Sequence, residues 1–207
     1  VVQHETVRIS SEENWAYMNI VLGIHGYAGV GKDALADAFV ENYGFTKIAF
    51  ADPVKEVLLD MNPLLRVEND EQVSLSEVVG THGWDEAKDV FPEIRPLLVN
   101  LGQSMRKNVG QRVWVNTAFN RADGIQRVVY SDVRQLNEAA LLKEFFGASL
   151  IHLIRPGVGP ANANEGMSLP PELFKWQVNN AGDLTDLRAH ADMIMSRIQF
   201  QREAVPA

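Results

Sequence analysis

The sequence predicts an α/β fold, a five-stranded parallel sheet flanked by helices, and three observations carry that expectation. An apolar run of strand length, "NIVLGIHG" (19–26), passes through a glycine-rich turn into an amphipathic helical stretch, "KDALADAFVENYG". The turn itself, Gly26-Tyr27-Ala28-Gly29-Val30-Gly31-Lys32, satisfies G-x-x-x-x-G-K in the strand-loop-helix setting that such a loop requires. Strand-like and helix-like segments then alternate to the end of the chain, the pattern of βαβ units with right-handed crossovers.

Taken in order, residues 1–17 are polar with scattered apolar positions and read as an extension, disordered or foreign to the domain that starts at about 18 and runs to 207. The first helix closes at Gly44, a C-cap residue. "FTKIAFAD" (45–52) reads as the second strand, with Pro53 marking the turn into the helical "VKEVLLDMN". From 63 to 100 periodicity fades, then "RPLLVNLGQSMRKNV" and "RVWVNTAFNRA" resume helical spacing, so about 53–115 reads as a helical insertion over the sheet. "QRVVYSD" (126–132) is the third strand, "LNEAALLKEFFG" a helix, "SLIHLIRPG" a buried-type strand and "KWQVNN" the fifth, before a last helix from Leu184.

Composition narrows the partners. A chain of 207 residues, 46% hydrophobic, buries a real core. Its net charge of -8 argues against a polynucleotide partner, because such surfaces gain affinity by neutralising backbone phosphates. With no cysteine there is no disulfide frame, thiolate metal site or thiol nucleophile, which fits the cytoplasm. No apolar run reaches membrane-span length. The histidines, among them His25, His82, His152 and His190, lack ligand spacing for a metal.

In a P-loop NTPase fold the backbone of Gly26, Ala28, Gly29, Val30 and Gly31 turns N–H groups inward around phosphates, the following helix presents its positive end, and Lys32 adds a charge at the transferring group. Position 33 departs from the usual Ser or Thr. Asp33 is either a hard oxygen ligand for Mg²⁺, direct or through water, or an acid that favours the first helical turn through the dipole. Asp132 and Arg134, in "SDVR", stand at the carboxyl end of a strand, where ligands of open α/β sheets gather; a cap and a surface ion pair are the plainer roles. Arg155 opens "RPGVGPANANEGMSLPPELF", and 155–174 reads as a lid or as a flexible connector.

The stretches "GVGKDALA", "FADPVKEVL", "RPLLVNLGQSMRKNVGQRVWV", "SDVRQLNEAALLKEFFGASLIHLIRPG" and "VNNAGDLTDL", in that order, resemble the phage deoxynucleoside monophosphate kinases. The resemblance covers most of the chain from residue 19 onward. It implies an adenylate-kinase-like fold and transfer of the ATP γ-phosphoryl group, with Mg²⁺, to a deoxynucleoside 5′-monophosphate. An acid follows the loop lysine in that family, as Asp33 does here, whereas Ala34 stands where a threonine is common. By the same resemblance Asp52, Val54, Lys55, Arg95, Gly102 and Gln103 approach the acceptor, and Lys55, Arg95 and Arg134 clamp its phosphate. Asp132 lies near the metal or the acceptor sugar, Glu138 orients Arg134 or the base, and Arg155 is a finger on the transferring group. Trp114 stacks on a base or fills the insertion's core.

Two other functions keep the phosphate loop: phosphorylation of another small metabolite, as in dephospho-coenzyme A kinase, or ATP-gated binding without small-molecule phosphorylation. The expected setting is the cytoplasm, that of the host if the gene is a phage's, and a homo-oligomer is compatible with it.

Overall fold

A computed structural model describes residues 20–67, 71–160 and 169–203, with the side chains of 202 and 203 left aside. The 1–17 extension and the middle of the 155–174 segment lie outside the described residues. The chain divides into two compact units, one made of the residues up to Ala49 and from Ala122 onward, the other of Phe50–Arg121.

In the first unit five parallel strands are ordered β2-β5-β1-β6-β7: β1 (Ile20–His25), β2 (Thr46–Ile48), β5 (Arg127–Tyr130), β6 (Ser149–Ile154) and β7 (Trp176–Asn179). β1, the first made, is central. Ile20 to Gly23 register with Arg127 to Tyr130 on one side, and Leu22 to His25 with Ser149 to His152 on the other. It is buried along its whole length, which is why its sequence is an unbroken apolar run rather than an alternation. Leu22 and Ile24 pack with Leu35 and Phe39 of α1 (Lys32–Tyr43) and with Ile194 and Met195 of α7 (Leu184–Glu203). α1 and α7 are further joined by the Tyr43 hydroxyl, which donates to Asp192 Oδ1 at 2.7 Å. On the opposite face, Gly23 lets Leu150, Val133 and Leu142 of α6 (Leu136–Phe146) close over the strand; a Cβ there would stand 2.6 Å from Leu150 Cδ2.

The second unit holds α2 (Asp52–Met61), a hairpin of β3 (Leu64–Arg66) and β4 (Gln72–Ser74), α3 (Leu75–Val90), α4 (Ile94–Asn108) and α5 (Val113–Arg121). Its core is Leu58, Leu65, Leu75, Val78, Ala87 and Ile94, with Trp84 and Phe91 packed against it. Ser74 caps α3 by accepting from the Glu77 N–H, and Gly83, at φ 70° and ψ 171°, breaks the helix into two halves.

Three boundaries differ from the sequence reading. The expected strand 45–52 shrinks to Thr46–Ile48, and α2 already begins at Asp52 with Pro53 inside its first turn, where the missing N–H costs nothing. The helical insertion expected over about 53–115 also contains the β3–β4 hairpin, at the start of the stretch where periodicity fades. No helix among the described residues is long and apolar enough to cross a membrane.

Candidate functional site

The segments that follow β1 and β5 leave the sheet toward opposite faces, α1 on one and α6 on the other, which opens a crevice at the carboxyl ends of these two neighbours. The phosphate loop occupies it. Gly26 has φ 156°, and a Cβ there would stand 2.3 Å from the Leu153 carbonyl oxygen, so the loop passes β6 too closely for any side chain. Gly31 is the N-cap of α1 at φ 99°, and no side chain caps that helix. A helix that starts at a glycine N-cap brings no cap side chain of its own to its first turn, and the positive end of its dipole lies at the glycine-rich loop, the arrangement that favours an anion. The Lys32 side chain is folded back, its Nζ donating to the carbonyls of Gly26 at 2.9 Å and Tyr27 at 2.8 Å.

Sequence reasoning missed the residue that holds this loop. Asn180, just past β7, donates from Nδ2 to the Val30 carbonyl at 2.8 Å, while its own N–H donates to Ile154 O at 2.7 Å. Val30 itself is buried in the core beneath. Asn180 lies within "VNNAGDLTDL", but nothing in its spacing marks it.

Asp33 is 80% exposed and faces Lys47 of β2, whose Nζ lies 3.7 Å from Asp33 and 2.6 Å from Asp37 one turn on. Burial pulls the Lys47 pKa down, but the bond and charge of Asp37, then those of Asp33, outweigh it and leave the ammonium above its ordinary value. Ala34, where a hydroxyl was looked for, packs its methyl against the core. Among the described residues no three His, Asp or Glu side chains gather as a metal cluster. Asp33 and Asp132 each carry a hard carboxylate oxygen, the donor type of which Mg²⁺ takes one or two beside its waters and substrate phosphates.

At the end of β5, Ser131 and Val133 donate their N–H groups to Ile48 and Ile24 and carry the buried Asp132 between them. Arg134 is exposed. Glu138, only 2% exposed, accepts from the backbone N–H of Arg134 at 2.8 Å and of Gln135 at 2.9 Å, closing the capping box of α6. Its carboxylate thus fixes the backbone from which Arg134 projects. His25 ties this segment to β1, its Nδ1–H donating to the Val133 carbonyl at 2.8 Å. Burial pulls its pKa down, the bond to Val133 partly opposes that, and the charges of His152, Lys32 and Arg134 add to the lowering. His25, His152 and Phe174 form a ring cluster, with Phe174 stacked 4.8 Å from His152 and 5.4 Å from His25. Phe174 is at the end of the expected lid, so this end is pinned to the sheet. Arg155, at its other end, is exposed beyond β6.

The second unit carries the residues expected at the acceptor. Lys55 Nζ bonds Asp52 Oδ1 at 3.1 Å across the first turn of α2, and Arg95 Nη2 bonds Asp89 Oδ1 at 2.8 Å. Trp114 is 3% exposed and its Nε1–H donates to the Gly102 carbonyl at 3.0 Å. A Cβ on Gly102 would lie 3.8 Å from the buried Val54, so Val54, Gly102 and Trp114 meet where α2, α4 and α5 pack. Of the two roles open to Trp114, this burial supports the core. Gln103, next to Gly102, faces solvent. A shallow groove between Arg66–Val67 and Val90–Glu93 contains none of the expected site residues.

No family model matches the chain. A protein of Acanthamoeba polyphaga mimivirus, named "Putative deoxynucleotide monophosphate kinase", is 29% identical over an alignment of 157 residues that covers 67% of this chain and 76% of that protein. Among solved structures, dephospho-CoA kinase from Campylobacter jejuni is 12% identical, with 89% of this chain and 98% of that one covered and a TM-score of 0.44. Shikimate kinase from Aquifex aeolicus is 8% identical, covering 86% and 96%, with a TM-score of 0.40.

Proposed function

We propose that the protein is an ATP-dependent kinase whose acceptor is a deoxynucleoside 5′-monophosphate. The observation that carries the kinase reading is the phosphate loop itself: a glycine-built turn between β1 and α1 with Gly31 as the N-cap, Lys32 folded on its carbonyls, and Asn180 holding Val30 in place. The acceptor class rests on the sequence resemblance and on the name of the mimiviral relative.

In this reading an oxygen of the acceptor phosphate attacks the γ-phosphorus of ATP, the bond from that phosphorus to the β,γ-bridging oxygen breaks, and ADP leaves. No proton has to move first, because the attacking oxygen is already anionic. The chain's task is placement and charge neutralisation. Lys32 moves from the loop carbonyls to the transferring phosphoryl group, the backbone of 26–31 holds the donor phosphates, and Arg134 is presented by the Glu138 cap. Mg²⁺, when bound, supplies charge neutralisation between the phosphates, with Asp33 and Asp132 as the groups that would hold it. Lys55 and Arg95 exchange Asp52 and Asp89 for the acceptor phosphate. Arg155 supplies a further cation to the transferring group.

The test is an ADP-release assay of the folded protein with Mg·ATP against dAMP, dGMP, dCMP and dTMP, beside dephospho-coenzyme A. Turnover confined to the deoxynucleotides supports the proposal. Turnover with none of the four sinks it.

A further inference from the structure

β1 is apolar from Ile20 to Ile24, and its one polar side chain is the last, His25. The ring is buried at the point where the strand gives way to Gly26 and the phosphate loop. Phe174 stacks on it with centroids 5.4 Å apart, and the His152 ring of β6 stands at the same distance. A carbonyl can only accept, so the ring nitrogen that meets the Val133 oxygen at 2.8 Å, Nδ1, carries the proton.

This bond bears on a single peptide group. The Val133 carbonyl and the Arg134 N–H belong to the same planar unit. His25 holds its oxygen at 2.8 Å, and Glu138 Oε2 accepts from its N–H, also at 2.8 Å. The two side chains come from different elements, β1 and α6, and are only 7% and 2% exposed. Val133 is anchored besides through its own N–H, which donates to Ile24 O at 3.0 Å, and through its buried side chain. The plane cannot turn without breaking a buried bond, and a buried group left without its partner costs more than the bond itself gains.

An imidazole and a carboxylate buried on one peptide are more than the turn from β5 into α6 requires. Gln135 and Glu138 close the capping box of that helix without His25. An aliphatic residue in its place would continue the apolar run of β1. What the doubly held peptide launches is Arg134, which is exposed, and one residue beyond His25 in the other direction the phosphate loop begins. One ring thus links the entry of the loop to the root of an exposed arginine.

We propose that His25 is a positioning residue for Arg134: with Glu138 it orients the Val133–Arg134 peptide, and so aims the guanidinium at phosphate held by the loop. The inference rests on the nucleotide-kinase reading.

The test uses the full chain in steady-state assays with the deoxynucleotide the wild type prefers, on protein shown to be folded by circular dichroism. His25→Leu keeps an apolar side chain against Phe174 and removes the donor. Its kcat is expected to fall about tenfold or more while KM for ATP stays within about twofold, the split left by a group that acts in the transition state. His25→Asn, whose amide nitrogen can stand near the place of Nδ1, is expected to recover most of the loss. In an Arg134→Ala background, His25→Leu is expected to cost less than about twofold further, because the residue it positions is gone. A ring that serves the core alone lowers the urea midpoint but leaves kcat of the folded variant unchanged. Wild-type kcat in folded His25→Leu, or a fully additive loss in the double variant, overturns the proposal. Where His25→Leu does not fold, His25→Gln, which carries its amide one methylene too far, takes its place, and wild-type kcat there overturns it equally. If the wild type turns over no deoxynucleotide, the kinase reading fails, and inorganic tripolyphosphate with Mg²⁺ becomes the titrant in calorimetry. Weaker binding in His25→Leu that disappears in the Arg134→Ala background then retains the link. Equal affinity in wild type and His25→Leu, or additive losses, rejects it.

Discussion

Asn180 and Val30, 150 residues apart, are joined by one hydrogen bond of 2.8 Å that fixes the phosphate loop to the end of the last strand. Asn180 is 6% exposed, so water does not replace it easily. Asn180→Ala leaves the buried Val30 carbonyl unsatisfied and is expected to cost about 1–3 kcal/mol in denaturant unfolding. Asn180→Asp is expected to be at least as harmful, since a carboxylate offers the carbonyl no donor. In both, KM for ATP rises more than KM for acceptor.

The same neighbourhood constrains Gly31. A Cβ there would lie 2.7 Å from Asn180 Nδ2, at a backbone φ of 99°. Gly31→Ala meets strain and a clash together and is expected to lose roughly 1–3 kcal/mol of stability. ATP binding, read by calorimetry on the folded fraction, should fall with it. Retention of wild-type stability and affinity would count against the loop geometry described above.

Lys47 lies between Asp33 and Asp37 and competes with any cation for Asp33. Asp33→Asn is expected to raise the Mg²⁺ concentration for half-maximal rate severalfold, and Lys47→Met to lower it. Mn²⁺ binding in the presence of a non-hydrolysable ATP analogue, followed by electron paramagnetic resonance, reads the same order without turnover. Equal metal dependence in all three proteins removes Asp33 from the metal site and leaves it the helix-dipole role.

His25 supplies a pH signature. Its pKa in the folded chain lies below the unfolded value of 6.5, so folding favours the neutral ring. The stability this represents is present above pH 6.5 and is lost as pH falls through the lower, folded pKa. His152, lowered by burial, acts in the same direction. Urea midpoints are therefore expected to drop from pH 7 to pH 5. His25→Asn, which keeps a donor near the Val133 carbonyl without titrating there, should show a shallower drop.

The parallel sheet and the phosphate loop were legible because their signals are local: β1 is a continuous apolar run, and the glycines and Lys32 fall within seven residues. The hairpin was not, since strands of three residues such as Leu64–Arg66 are too short to show an alternation. The partners of Asp33 and Val30 were hidden for a different reason. Lys47 and Asn180 are brought there by strand order, and no short-range spacing encodes that. Trp114 was ambiguous because an indole stacked on a base and one packed in a helical core have the same spacing, and only its burial and its bond to Gly102 distinguish them.

The central place of β1 also bears on how the chain is made. Its two neighbours in the sheet, β5 and β6, begin at Arg127 and Ser149, so during synthesis the apolar segment Ile20–His25 emerges more than a hundred residues before either. Contacts of such long range form slowly and leave strand edges unpaired meanwhile. Ribosome-bound chains ending before residue 149 should therefore present β1 with an open edge, a segment to be shielded by a chaperone until the middle of the sheet can close.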